Sequence, residues 1–492
     1  MKKIALITAT LLTILFISCD KDDDVKEDPV ADVELENEIN GFIWRGLNEI
    51  YLWNADVPNL ADAKKDDINA FNTYLNSFTE PESTFEALIY DRDNTDKWSW
   101  IVDDYVALEQ QFQGVSKSNG VDFQLVRLSG SDDLFAYVKL ILPNSDASNK
   151  SIKRGDFFME VDGQQLTLSN YRDLLFGASG SYTLGMGTLS NNTIGTNGVT
   201  IPLTKSVYTE NPIFITKTFN ISGKKIGYLM YNSFTSNFDQ QLNDAFGQLK
   251  SEGVTDLVLD FRYNGGGSIT TSTYLASMIT GQFTGQLFIK ERWNAKYQAA
   301  FEARHPDWLI DNFPNEIIKK DSNGKVILQE SINSLNLSKV YVLVSDKTAS
   351  ASELIINGLN PYIDVKLVGT KTVGKYVGSV TLYDSSDFGR DGANSNHKYA
   401  MQPIVLEEVN KLGKNDKDGF DPHIIYEEDL VNLGVLGEIN EPLLSKAISD
   451  ITGGISKEVS KKQTSLQFEI HADSRAFSPL YNEMYVDFKN KQ

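Results

Sequence analysis

The sequence predicts a mixed α/β fold whose main body spans residues 206–454. Two observations carry this. Apolar strand-like runs recur at 226–230, 257–261, 340–344 and 365–368. Between them lie helix-like stretches: Phe238, Leu242, Phe246 and Leu249 fall at helical spacing, and 351–359 is a second such stretch. Continuous apolar strands are buried on both faces, and the intervening helices supply the cover.

Upstream of this body the pattern changes. Residues 110–205 read as short strands with turns. The run 134–142 is a strand ended by Pro143-Asn144, Arg154-Gly155-Asp156 is a turn, and 157–161 is a strand. Asp162-Gly163 then supplies the two positive-φ positions that a tight hairpin needs. Further upstream, Ile39, Phe42, Ile43, Leu47 and Ile50 share one face of a helix over 34–54, and 67–78 is also helix-like. Residues 34–105 therefore form a small helical domain, with Trp44, Trp53, Trp98 and Trp100 as packing residues. The tail at 455–492 is polar and mixed, and its pattern places no element.

The N-terminus has the plan of an export signal. Lys2 and Lys3 precede an apolar run at 4–17, which is short for a membrane span. Small Ser18 and then Cys19 follow. This arrangement resembles a bacterial lipoprotein signal. The resemblance implies a signal peptide at 1–18, a thioether lipid on Cys19 and membrane attachment through that lipid. Residues 19–33 are acidic and read as a solvated tether. The implied location is the cell envelope, as an outer-membrane lipoprotein facing the periplasm or the cell surface.

Composition narrows the chemistry. Cys19 is the one cysteine of the 492 residues, so the folded body has no disulfide, no thiolate metal site and no thiol nucleophile. A formal charge of −21 argues against nucleic acid, which needs a basic surface. The four histidines, at 305, 397, 423 and 471, lack metal-ligand spacing with one another, and neither a metal nor another cofactor is expected.

Three polar loops follow strands of the α/β body, where ligands bind in such sheets. The first is Asp260-Phe-Arg-Tyr-Asn-Gly-Gly-Gly-Ser268. Consecutive glycines let a backbone approach a ligand and aim N–H groups at it. No Gly-Lys-Ser/Thr follows, which disfavours a phosphate loop. The second, Ser345-Asp-Lys-Thr-Ala-Ser350-Ala-Ser-Glu353, puts Ser350 at a helix start, where free N–H groups stabilise developing negative charge. Ser350-x-x-Glu353 equally fits a capping box that needs no catalysis. In the third, Gly374 and Lys375 sit among Val373, Val377 and Gly378. Burial there disfavours an ammonium, and a desolvated lysine serves as a base.

Thr-Ala-Ser-Ala-Ser-Glu, with Gly-Lys 24 and 25 residues after its middle serine, resembles the C-terminal processing (tail-specific) serine peptidases. So does Asp260-x-Arg-x-Asn-x-Gly-Gly. The run 138–164 also resembles the second half of a PDZ domain, a β module that takes up peptide C-termini by strand addition. The resemblance implies a crotonase-like α/β peptidase core at 206–454, preceded by a PDZ-like domain at 106–205. It implies Ser350 as nucleophile, Lys375 as general base, and the backbone of Ala351 with that of Gly267 or Gly266 as oxyanion hole. The carboxylate loop of the PDZ-like domain would fall at Asn119, Gly120 and Val121. The expected partners are protein or peptide substrates. Two positions depart from the family: Ser379 stands where many members have a Gln that steadies the amine, and Pro361 where many have an Asp. Ser379 is the expected stand-in. The competing expectations are a catalytically silent envelope binding protein of the same fold and a crotonase acting on CoA thioesters; an export signal disfavours the latter.

Overall fold

In the computed structural model, the described residues are 32–190, 193–321, 323–415, 417–454 and 468–486. The signal segment 1–18, Cys19 and the tether to residue 31 lie outside them. The chain divides into two compact units.

The first unit joins the chain up to Leu108 with 292–306 and 378–407. Its helix Glu38–Ile50 starts at Asn37, whose side chain accepts from Ile39 N. That helix buries Phe42, Ile43, Leu47 and Ile50, four of the five residues expected on its inner face; Ile39 is half-buried. Trp44 is fully buried and donates its indole N–H to Asn59 O. A three-stranded sheet, Trp100–Val102, Ala400–Gln402 and Leu382–Tyr383, ties the N-terminal helices to sequence 300 residues away. The helical region is thus one part of a discontinuous unit. Period counting finds helices but is blind to long-range pairing of short strands.

The second unit holds 109–291, 307–377 and 408–492. Its central sheet has the order Ile213–Ile221, Lys224–Tyr231, Asp256–Asp260, Lys339–Val344, Asp364–Gly369, Ile424–Ile425. The first pair is antiparallel and the others parallel, which makes the expected α/β body. Leu257, Val258 and Leu259 are buried, as are Val340 and Val342 to Val344, so both faces are covered. Helix Ile269–Thr280 is buried nearly all round, and helix Ala351–Leu359 is buried along its whole length. Such helices belong to a core.

A six-strand antiparallel path lies in the same unit: Phe468–Asp473, Val121–Leu128, Leu134–Ile141, Phe157–Val161, Ser181–Ser190, Thr193–Thr204. Asp162 (φ 51°) and Gly163 (φ 74°) form the expected hairpin turn. The tail differs from expectation, because 468–473 is an edge strand of this sheet and Met484–Tyr485 pairs with Gly267–Ser268. Its polarity hid this: an edge strand needs few apolar residues, because backbone hydrogen bonds hold it. No helix among the described residues is long and apolar enough to cross a membrane.

Candidate active site

All three polar loops belong to the second unit and converge. Strand Lys339–Val344 delivers Ser350 to the first position before helix Ala351–Leu359. Ser350 has φ 64° and ψ −121°, a conformation that non-glycine residues rarely adopt. It is fully buried, and its Oγ has no hydrogen-bond partner among the described residues. The Glu353 half of the expected capping box is present, since Ser350 N donates to Glu353 Oε2 at 2.9 Å.

Glu353 does more than cap. Its carboxylate also accepts from Thr372 Oγ1 (2.5 Å), Gly374 N (2.7 Å) and Lys375 N (2.9 Å). One buried side chain thereby joins the serine turn to the lysine loop. Burial pushes this carboxyl up to about 7, against the pull of its four donors. The lysine loop is braced from behind by Phe420 N, which donates to Thr372 Oγ1 at 2.8 Å. Gly374 (φ 92°) is required there, because a Cβ would sit 2.4 Å from Lys417 O.

Lys375 is 2% exposed. It lines one cleft with Ser350, Leu354, Tyr376, Phe420 and Met484. Its Nζ lies 3.8 Å from a carboxylate oxygen of Glu483.

The glycine loop forms the facing wall. Asn264 organises it: its Nδ2 donates to Tyr231 O (2.7 Å), and its Oδ1 accepts from Gly266 N (2.9 Å). Asn264 O accepts from Ser352 Oγ at 3.1 Å and Ala349 N at 3.2 Å, which draws the serine turn against the loop. A Cβ on Gly266 (φ 113°) would meet Glu483 O at 2.4 Å and Ser350 Oγ at 2.7 Å. The carbonyl of Glu483 and the serine hydroxyl thus flank the same point. Gly266 N is committed to Asn264, and Gly267 is backbone-paired with Met484.

Asp260 and Arg262 lie beneath this wall. The Arg262 guanidinium, fully buried, pairs with Asp260 (2.7 Å), Glu441 (2.7 Å) and Glu428 (2.9 Å). Burial alone would raise the Glu428 carboxyl, but Arg154 and Arg262 hold it down at about 2.

Ser379 and residues 119–121 complete the expected set. Ser379 belongs to the first unit, where its Oγ accepts from Gln402 Nε2 at 3.0 Å. Asn119, Gly120 and Val121 form a buried turn whose amides are already used: Gly120 N donates to Ser118 Oγ (3.0 Å) and Val121 N to Asn119 Oδ1 (3.1 Å). Both amides are thus bonded to side chains within the turn. Glu353, Asn264 and Glu483 were not among the expected site residues. Asn264 stands in the glycine motif and Glu353 three residues after Ser350, so both carried a signal; Glu483 carried none.

The family model described as Peptidase family S41 matches residues 225–425, and the one described as Peptidase S41 N-terminal domain matches 38–100. Together these ranges take in more than half of the chain, and the chain belongs to peptidase family S41. A C-terminal processing peptidase from the chloroplast of Tetradesmus obliquus is 27% identical over 296 residues, covering 58% of this chain and 56% of that protein. A carboxy-terminal processing protease of Bacillus subtilis is 25% identical over 240 residues, covering 48% and 43%. The chain therefore spans about half the length of these curated relatives. A solved structure described as an S41 protease from Bacteroides fragilis superposes with a TM-score of 0.61 at 26% identity, over 84% of this chain and 97% of that one.

Proposed function

We propose that this chain is a serine endopeptidase that cleaves protein or peptide substrates near their C-termini. The observation that carries the reading is the convergence of buried Ser350, buried Lys375 and the glycine wall on one cleft. Lys375 takes the proton of Ser350 as Oγ attacks the substrate carbonyl carbon. Ala351 N and Gly267 N receive the oxyanion. The C–N bond then breaks, the proton passes from Lys375 to the leaving amine, and an acyl-enzyme remains. Water, deprotonated by Lys375, hydrolyses the ester and restores the serine. The antiparallel sheet at 121–204 is a PDZ-like module in this scheme, with its Val121–Leu128 strand already paired to Phe468–Asp473.

Hydrolysis of an unfolded protein by wild type, Ser350→Ala, Lys375→Ala and Ser352→Ala tests the dyad. The first two substitutions abolish turnover and Ser352→Ala retains most of it. Activity surviving either of the first two would remove that residue from the mechanism.

We further propose a lipid anchor at Cys19 that holds the enzyme at the outer membrane. Cys19→Ala should move the protein from the membrane fraction to the soluble fraction. Continued sedimentation with membranes would contradict the anchor.

A further inference from the structure

The C-terminal segment follows the course that a peptide substrate would take. Phe468–Asp473 runs antiparallel to Val121–Leu128, from Phe468 opposite Leu128 to Asp473 opposite Gln124. Charged pairs fasten it: buried Asp473 lies 3.5 Å from the buried Lys139 ammonium, and half-buried Arg475 pairs with Asp122 and Glu210. Ten residues beyond this anchor the chain reaches the catalytic cleft. Met484 pairs with Gly267 and Tyr485 with Ser268, as an added strand on the glycine wall. The Glu483 carbonyl oxygen and Ser350 Oγ flank the point that a Cβ on Gly266 would occupy, and the Glu483 carboxylate faces Lys375 Nζ at 3.8 Å. Met484 lines the cleft with Ser350 and Lys375 and is 1% exposed.

We propose that residues 479–486 are an intrachain peptide ligand that occupies the substrate path and slows the site by competing with substrate. The proposal rests on the peptidase reading above. Three features support occupancy that inhibits. The segment uses backbone pairing on the wall that would hold a substrate strand. Glu483 engages the lysine with its carboxylate while the serine hydroxyl goes without a hydrogen bond among the described residues. The edge strand is held by its own backbone pairing with Val121–Leu128, and the Tyr481 hydroxyl, which donates to Asp473 at 3.4 Å, is the hydrogen bond that the plug gives up to the anchor when it leaves. An external peptide must therefore displace Asn482 to Tyr485 before Ser350 can attack it. The recognised chemistry is an extended peptide with an acidic residue at the lysine and an apolar one, such as Met484, in the cleft beside it.

A chain ending at Ser478 tests this, because it removes the plug and keeps Asp473 and Arg475. It should hydrolyse fluorescein-labelled casein several-fold faster than the full chain, and a synthetic peptide of residues 479–486 should slow it competitively. Equal rates with no effect of the peptide would overturn the proposal. Should the shortened chain lose its circular dichroism signal, Glu483→Lys in the full chain replaces it: repulsion from Lys375 expels the plug and raises the rate, whereas an unchanged rate overturns the proposal. If no form hydrolyses casein, the peptidase reading fails. Anisotropy of the labelled 479–486 peptide on the shortened chain still decides the inference, since binding supports it and absence of binding ends it.

Discussion

Ser350 is held under strain for a purpose. A non-glycine residue at φ 64°, ψ −121° costs about 1–3 kcal/mol, and a buried hydroxyl without a partner adds to that. Ser350→Gly relieves both. Its denaturation midpoint should rise while hydrolysis is lost, and a fall in the midpoint would show that the turn is unstrained. Glu353 acts in the opposite sense. It accepts from four donors, two of them on the lysine loop. Glu353→Gln leaves one acceptor for those donors, and the loss should be about 1–3 kcal/mol in urea unfolding. Because its folded carboxyl stands near 7, above its ordinary value, its contribution to stability is full below about pH 4.5 and is lost as pH rises to about 7. In Glu353→Gln that part of the pH dependence should vanish. The residue scale was half legible. Ser350, Lys375 and the glycines declared themselves through small residues at loop ends. Glu353 was read as a cap because its second task, gripping 372–375, depends on a loop that reaches it only in three dimensions.

At the level of elements, the loop Asp260 to Ser268 is stiffened from below. Arg262 satisfies three carboxylates in a fully buried place, and Tyr228 OH donates to Asp260 at 2.7 Å. Removing one partner strands the others in a low-dielectric setting, so Arg262→Met should cost about 3–5 kcal/mol. Glu428, held at about 2, gives the matching acid limb: its stability is present above about pH 4.5 and fades as pH falls through 2. Acid titration of unfolding should show that limb in wild type and lose it in Glu428→Gln. The apolar strands and the helices between them were readable because burial on both faces leaves a continuous apolar run. The buried Asp-Arg-Glu cluster was not, since Glu428 and Glu441 are some 170 residues away in sequence and nothing local marks them as partners.

Across the molecule, the chain is threaded less simply than a linear succession of helical region, β module and α/β core. The N-terminal helices share a unit with 292–306 and 378–407, and the tail returns to two separate sheets of the other unit. Both features are long-range strand pairings a few residues long, which carry too little pattern to be read locally. The membership in family S41 agrees with the serine-peptidase class that the loop motifs imply. The most direct measurement is covalent labelling of the full chain with a fluorophosphonate, followed by mass spectrometry of its peptides. A single adduct on Ser350, formed by wild type and lost in Lys375→Ala, is the result expected. An adduct on another serine, or one on Ser350 that forms equally fast without Lys375, would contradict the Ser350–Lys375 mechanism.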